Sequence, residues 1–141
     1  MVEIRINYQG QLRCDSKHMP SGTKLATDAP LDNQGRGESF SPSDLVATAL
    51  GSCMATIMGI TARSRKIELG GMRIMVQKHM APDLPRRIER LDLEIFMPVA
   101  EGHPDKKVLQ SAALNCPVQH SIHPDIKVDI KWHWMDGENA S

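Results

Sequence analysis

Between Leu45 and Ala62 the chain runs for eighteen residues, LVATALGSCMATIMGITA, without one charged side chain. Asp44 stands just before this stretch and Arg63, Arg65 and Lys66 just after it. Ser43 and Asp44 are good N-cap types, and cations in a last turn match the negative end of a helix dipole, so the stretch reads as a helix. Val46, Leu50, Cys53, Ile57 and Ile60 recur at helical spacing, which places the thiol of Cys53 on an apolar stripe. Ala47, Gly51, Ala55 and Gly59 form a second ladder four residues apart, where another element can approach closely. A helix without a charged face has to be covered on all sides, and the rest of the chain is expected to be organised around it.

Eighteen uncharged residues also touch the lower limit for a membrane span, which needs ~20 strongly apolar residues. Three Thr, one Ser and two Gly dilute this stretch. The expectation is therefore a buried helix with no membrane partner. The N-terminal run MVEIRINYQGQLRCD alternates like a strand and does not resemble a signal peptide, which predicts a cytoplasmic protein.

A length of 141 residues predicts one domain, 1–141, large enough for a real core. Seventeen basic and seventeen acidic residues cancel, and four per cent aromatic residues leave little for base stacking. Nucleic-acid binding is excluded on both grounds. Three cysteines, an odd number, argue against a structural disulfide framework. Nine Met suit adaptable packing or an accommodating apolar pocket.

In chain order, Val2, Ile4, Ile6 and Tyr8 alternate with polar residues as a half-buried strand. A turn at Gln9-Gly10 leads into a second strand near Leu12 to Lys17, with Cys14 and Leu12 on one face. His18 to Pro42 reads as a long loop with one short strand at Thr23 to Thr27. Arg36 and Glu38 lie near its end, within reach of the helix N-terminus. After the helix, Met72 to Val76 and Leu91 to Met97 alternate as two strands, the second ended by Pro98. A second helix starts at His103-Pro104-Asp105 and stops by Cys116, because the residue before a proline disfavours the helical region. Pro117 then opens a short new turn, Pro117 to Ile122. Val128, Ile130, Trp132 and Trp134 form the last strand, followed by a polar tail, Asp136 to Ser141. Hairpin, helix, two strands, helix, strand is an α+β order.

Two thiols stand out by environment. Cys53 sits in the apolar helix, and Cys116 falls at the N-cap of the short turn, where unpaired N–H groups favour an anion and are expected to lower a thiol pKa. If the two face one cleft, they form an attacking and a resolving thiol, one passing through sulfenic acid before the other condenses with it. They stand 63 positions apart, so spacing alone does not decide whether they meet.

PSDLVATALGSCMATI around Cys53 and LNCPVQHSI around Cys116 resemble the paired cysteine motifs of the OsmC/organic hydroperoxide resistance family. The preceding PSGTKLATDAPLDNQGRGESFSP and the order of elements are similar to its OsmC-like branch. The resemblance implies curved antiparallel sheets wrapped around central helices in an intertwined homodimer. It further implies a thiol peroxidase without metal, haem or other cofactor, which reduces organic or lipid hydroperoxides with a dithiol reductant. Cys53 then resembles the peroxidatic cysteine and Cys116 the resolving one. The hydroperoxide-reducing branches place a Glu ten residues before the first cysteine, where this chain has Ser43 beside Asp44. Arg36 and Glu38 are the candidates for the family's loop Arg and its partner.

Two rivals compete with this reading. Cys116, His120 and His123, with Cys53 as a fourth ligand, would form a Cys/His metal face, although the spacing matches no closed zinc signature. The other rival is a non-catalytic or slow dimer that holds a small apolar molecule in a Met-rich interface pocket, with Cys14, Cys53 and Cys116 as packing residues.

Overall fold

The computed structural model describes residues 1–135, so the tail expected at Asp136 to Ser141 lies outside the described residues. The chain divides into two compact units, Met1–Val46 and the residues from Ala47 on.

The first unit is a three-stranded antiparallel sheet in the order β1 (Ile4–Gly10), β2 (Arg13–His18), β3 (Lys24–Asp28). Its hairpin turns at Gln11 and Leu12 rather than at Gln9-Gly10. Both residues are left-handed, with φ of 54° and 63°, the geometry whose twist matches that of the flanking strands. Leu12 therefore belongs to the turn and does not share a strand face with Cys14. Cys14 is half-buried and stands opposite Tyr8 on one side and Thr27 on the other.

The stretch expected to be a long loop is more ordered than its composition suggests. His18 belongs to β2, Pro42 to the helix, and the anticipated short strand is β3. Its remainder is tied down by Asp28, which is 1% exposed and accepts the Glu38 N–H on Oδ2 at 3.1 Å. Asp28 N–H donates to Phe40 O, and Gly37 N–H to Ala29 O. Gly35 presses against the Ala29 backbone so closely that no Cβ fits there.

Helix α1 (Pro42–Ser64) starts three residues earlier than the charge pattern implies, because its cap is Ser41. Ser41 Oγ accepts the Asp44 N–H at 3.1 Å while Asp44 Oδ2 accepts the Ser41 N–H at 2.9 Å, a reciprocal capping box. Pro42 occupies the first helical position, where its missing N–H costs nothing. Ser43 thus lies inside the first turn rather than at the cap.

The second unit contains most of α1, two further helices and a sheet in the order β4 (Arg73–Met80), β5 (Ile88–Ala100), β6 (Lys127–Met135). β4 and β5 are antiparallel; β5 and β6 are parallel. The parallel pair follows from the connection, which crosses over through α2 (Lys106–Leu114) and α3 (Pro117–Ser121) instead of turning back as a hairpin. The α+β class stands, with the second sheet mixed rather than purely antiparallel.

Strand β5 alternates from Arg90 to Ala100. Leu91, Leu93, Ile95, Met97 and Val99 are buried, while Arg90, Asp92, Glu94 and Phe96 lie on the other face. Asp92 there pairs with His79 and Arg90, and Glu94 with His133. Pro98 does not end the strand. It falls where the β5–β6 register shifts, between Phe96 and Ala100, and so displaces no required ladder donor.

The buried side of α1 is Ala47, Leu50, Gly51, Met54, Met58 and Ala62. With the apolar row of β5 and with Leu109 and Ala113 of α2 it forms one core, where each fully buried large apolar side chain contributes roughly 1.5–3 kcal/mol. This face is rotated from the expected stripe: Ile60 is 61% exposed and Cys53 lies at the margin. The small-residue ladder is used at Gly51, where a Cβ would stand 3.0 Å from Val76 Cγ2 of β4. At Gly59 there is open space.

Candidate active site

Cys116 is positioned by the end of one helix and the start of another. α2 closes with Asn115 N–H on Ser111 O and Cys116 N–H on Ala113 O. Pro117 then forces the residue before it out of the helical region, and Cys116 adopts φ −67°, ψ 150°. In that conformation it is the N-cap of α3, and its Sγ accepts the Gln119 N–H at 3.4 Å. Cys116 is fully buried in the core.

Cys53 reaches the same place from α1. It is half-buried, packs against the core cluster that contains Cys116, and lies close enough to shift the pKa of that thiol. Two thiols 63 positions apart in the chain are thus neighbours, and both are free.

The N-cap position does not lower the Cys116 pKa as the sequence suggests. Burial dominates and raises it, the Gln119 N–H lowers it, the neighbouring Cys53 raises it further, and the Val118 N–H lowers it. Amide dipoles stabilise a thiolate, but a sulfur removed from water loses more than they return. Cys116 therefore keeps its proton, and the proton lies beside a sulfur that solvent can approach. Chemically, this sets a half-buried thiol beside a buried one that keeps its proton.

Arg36, Glu38 and Ser43 lie in the first unit. Arg36 pairs with Glu38 at 3.8 Å, and both are well exposed. Glu38 is also 3.8 Å from Arg13, whose guanidinium is 4.0 Å from buried Asp28. Ser43 Oγ is 3.2 Å from Ser41 Oγ. Arg13 and Asp28 were not legible as partners of Glu38, because the pairing depends on strand register. The helix N-terminus that Arg36 and Glu38 were expected to approach is occupied by Ser41 and Asp44.

The metal face proposed from spacing is not assembled. Among the described residues no three His, Cys, Asp or Glu side chains are grouped to hold an ion. His123 Nδ1 instead accepts the Asp125 N–H at 3.0 Å.

A protein that sets a thiol on a long apolar helix beside a second thiol capping a short one is a paired-thiol protein built on an α+β core. Residues 35–131 match the family model described as OsmC-like protein, and the chain belongs to the OsmC family. Among solved structures, it is similar to a Psychrobacter arcticus 273-4 protein described as an osmotic stress induced and detoxification response protein. The two share 44% identity over 94% of this chain and 96% of that one, with a TM-score of 0.89. An OsmC organic hydroperoxide resistance protein of Legionella pneumophila has the same fold at 16% identity, over 94% and 96% of the two chains, with a TM-score of 0.74. So has an organic hydroperoxide resistance protein of Vibrio cholerae with captopril in one of its active sites, at 15% identity over 96% and 92%, with a TM-score of 0.75. No curated protein matches the chain.

Proposed function

We propose that the protein is a thiol-dependent peroxidase that reduces organic hydroperoxides through Cys53 and Cys116. The observation that carries this reading is the placement of the half-buried Cys53 beside the buried Cys116, against the same core. Family membership supports it, as do the names of relatives with this fold, organic hydroperoxide resistance proteins.

In this reading the Cys53 thiolate attacks the distal oxygen of the hydroperoxide, the O–O bond breaks, and alcohol leaves. Cys53 becomes a sulfenic acid. The Cys116 thiol attacks that sulfur, water departs with its proton, and a Cys53–Cys116 disulfide forms. A dithiol reductant reopens it by exchange. Cys53 is the attacking sulfur because it is the more accessible of the two, and Cys116 waits with its proton in place.

A homodimer is part of the same reading. Only a third of the apolar window of α1 is buried within one chain. In the first unit Ile4, Ile6 and Tyr8 are 58–65% exposed on one strand face. Uncovered apolar surface on this scale marks an interaction site, and a second copy of the chain covers it here. Such a dimer would be a soluble, cytoplasmic protein.

The test is turnover of cumene hydroperoxide with dithiothreitol, alongside mass spectrometry of protein given one equivalent of peroxide. Turnover that stops in Cys53→Ser and a Cys53–Cys116 bridge in the wild type are expected. Unchanged turnover in that variant would refute the mechanism. Protein without turnover or bridge would instead be the apolar-ligand dimer.

A further inference from the structure

α1 ends in a Schellman turn, with Ile67 N–H on Ala62 O and Lys66 N–H on Arg63 O. Lys66 takes the left-handed place in that turn, at φ 58°, where glycine is the usual residue because a Cβ is disfavoured there. A long cationic side chain in a conformation that resists it calls for a reason. Lys66 lines a cleft of about 750 Å³ formed by the end of α1, the end of β5 and the residues that lead into α2. That volume falls within the roughly 300–1,000 Å³ of small-molecule sites. Neither Cys53 nor Cys116 lines it.

The apolar lining is Ile67, Pro98, Val99, Pro104 and Met135. The polar lining divides into groups already engaged and groups that are not. Arg65 pairs with Asp105 at 3.0 Å, and Glu68 Oε1 accepts the Gly70 N–H at 2.7 Å. His103 Nδ1 accepts the Asp105 N–H at 3.0 Å, which leaves the proton of the neutral ring on Nε2. Lys66 Nζ and His103 Nε2 have no acceptor among the described residues. Both unengaged groups are donors, and one carries a full charge.

We propose that this cleft binds an amphipathic carboxylate, with Lys66 supplying the charge for its head, His103 a second donor, and Ile67, Val99 and Met135 the surface for its hydrocarbon body. Two donors without acceptors select an anion, and a charged donor makes the stronger hydrogen bond to it. The Arg65–Asp105 pair adds no net charge. The Glu68 carboxylate is the one charge that opposes an anion here, and it is drawn onto a backbone N–H. The apolar lining favours an anion with a hydrocarbon body over a bare one, because only the former removes that surface from water.

The test is calorimetric titration of the full-length protein with decanoate, decanol and acetate, which share the body alone or the head alone. Decanoate is expected to bind saturably and at least tenfold more tightly than either. Lys66→Gly is expected to weaken decanoate at least threefold at an unchanged or higher Tm, since glycine suits the left-handed turn. Glu68→Gln keeps an acceptor for the Gly70 N–H, removes the opposing charge, and is expected to bind decanoate at least twofold more tightly. Equal decanoate affinity in wild type and both variants would place the ligand elsewhere and overturn the proposal. Decanol binding as well as decanoate overturns it too, as does decanoate that fails to saturate below millimolar concentration. Should Lys66→Gly not fold, Glu68→Gln decides alone, and an affinity equal to or below that of wild type refutes the site. No peroxide enters these measurements, so their outcome is independent of the peroxidase reading.

Discussion

Gly51 of α1 lies so close to Val76 of β4 that a Cβ on residue 51 would meet Val76 Cγ2 at 3.0 Å. This contact seats the helix on the sheet two residues before Cys53. A bulkier residue at position 51 has to push the helix off the strand, because Val76 is β-branched and has few rotamers in which to retreat.

Gly51→Leu is therefore expected to destabilise the protein by about 2 kcal/mol, the usual scale of overpacking. Urea denaturation measures it directly. Equal stability in the variant would show that the helix and β4 are not locked together.

At the other end of the helix, Ser41 and Asp44 satisfy each other's backbone N–H groups. Ser41→Ala removes the hydroxyl acceptor and is expected to cost about 1 kcal/mol. The loss appears as a lower urea midpoint at unchanged slope, since the surface exposed on unfolding stays the same.

Cys116 gives stability a pH dependence. Its folded pKa is raised, so the folded state holds this proton more tightly than the unfolded chain, where a thiol titrates near about 8.5. The stabilisation is complete below that value and is lost as pH rises through the raised one. Reduced wild-type protein is expected to lose Tm progressively above about pH 8.5, and Cys116→Ser, which does not titrate there, to lose less. Identical pH profiles for the two would contradict the raised pKa.

The alternation of Leu91 to Met97, the uncharged run of α1 and the proline that separates α2 from α3 were all legible in the sequence, because strand period, helix period and proline sterics are local effects. The α+β class and the positions of both cysteine motifs followed from them. The start of α1 at Ser41 was missed for a local reason as well: Ser43 and Asp44 fit the cap equally well by residue type, and only the hydrogen bonds separate N-cap from first turn.

Other features are settled only in three dimensions. Which side of α1 is buried depends on what packs there, and an all-apolar helix carries no polar face to announce it. Asp28, Arg13 and Glu38 come together through the register of β2 with β3 and the loop that returns over it. The two thiols become neighbours because a crossover returns the chain to the core at Cys116, 63 residues after Cys53. The sequence determined that one thiol rides an apolar helix and the other caps a short one. The tertiary structure decided that they are neighbours, and that burial outweighs the amide dipoles at Cys116, because desolvation is a property of everything packed around an atom and not of its neighbours along the chain.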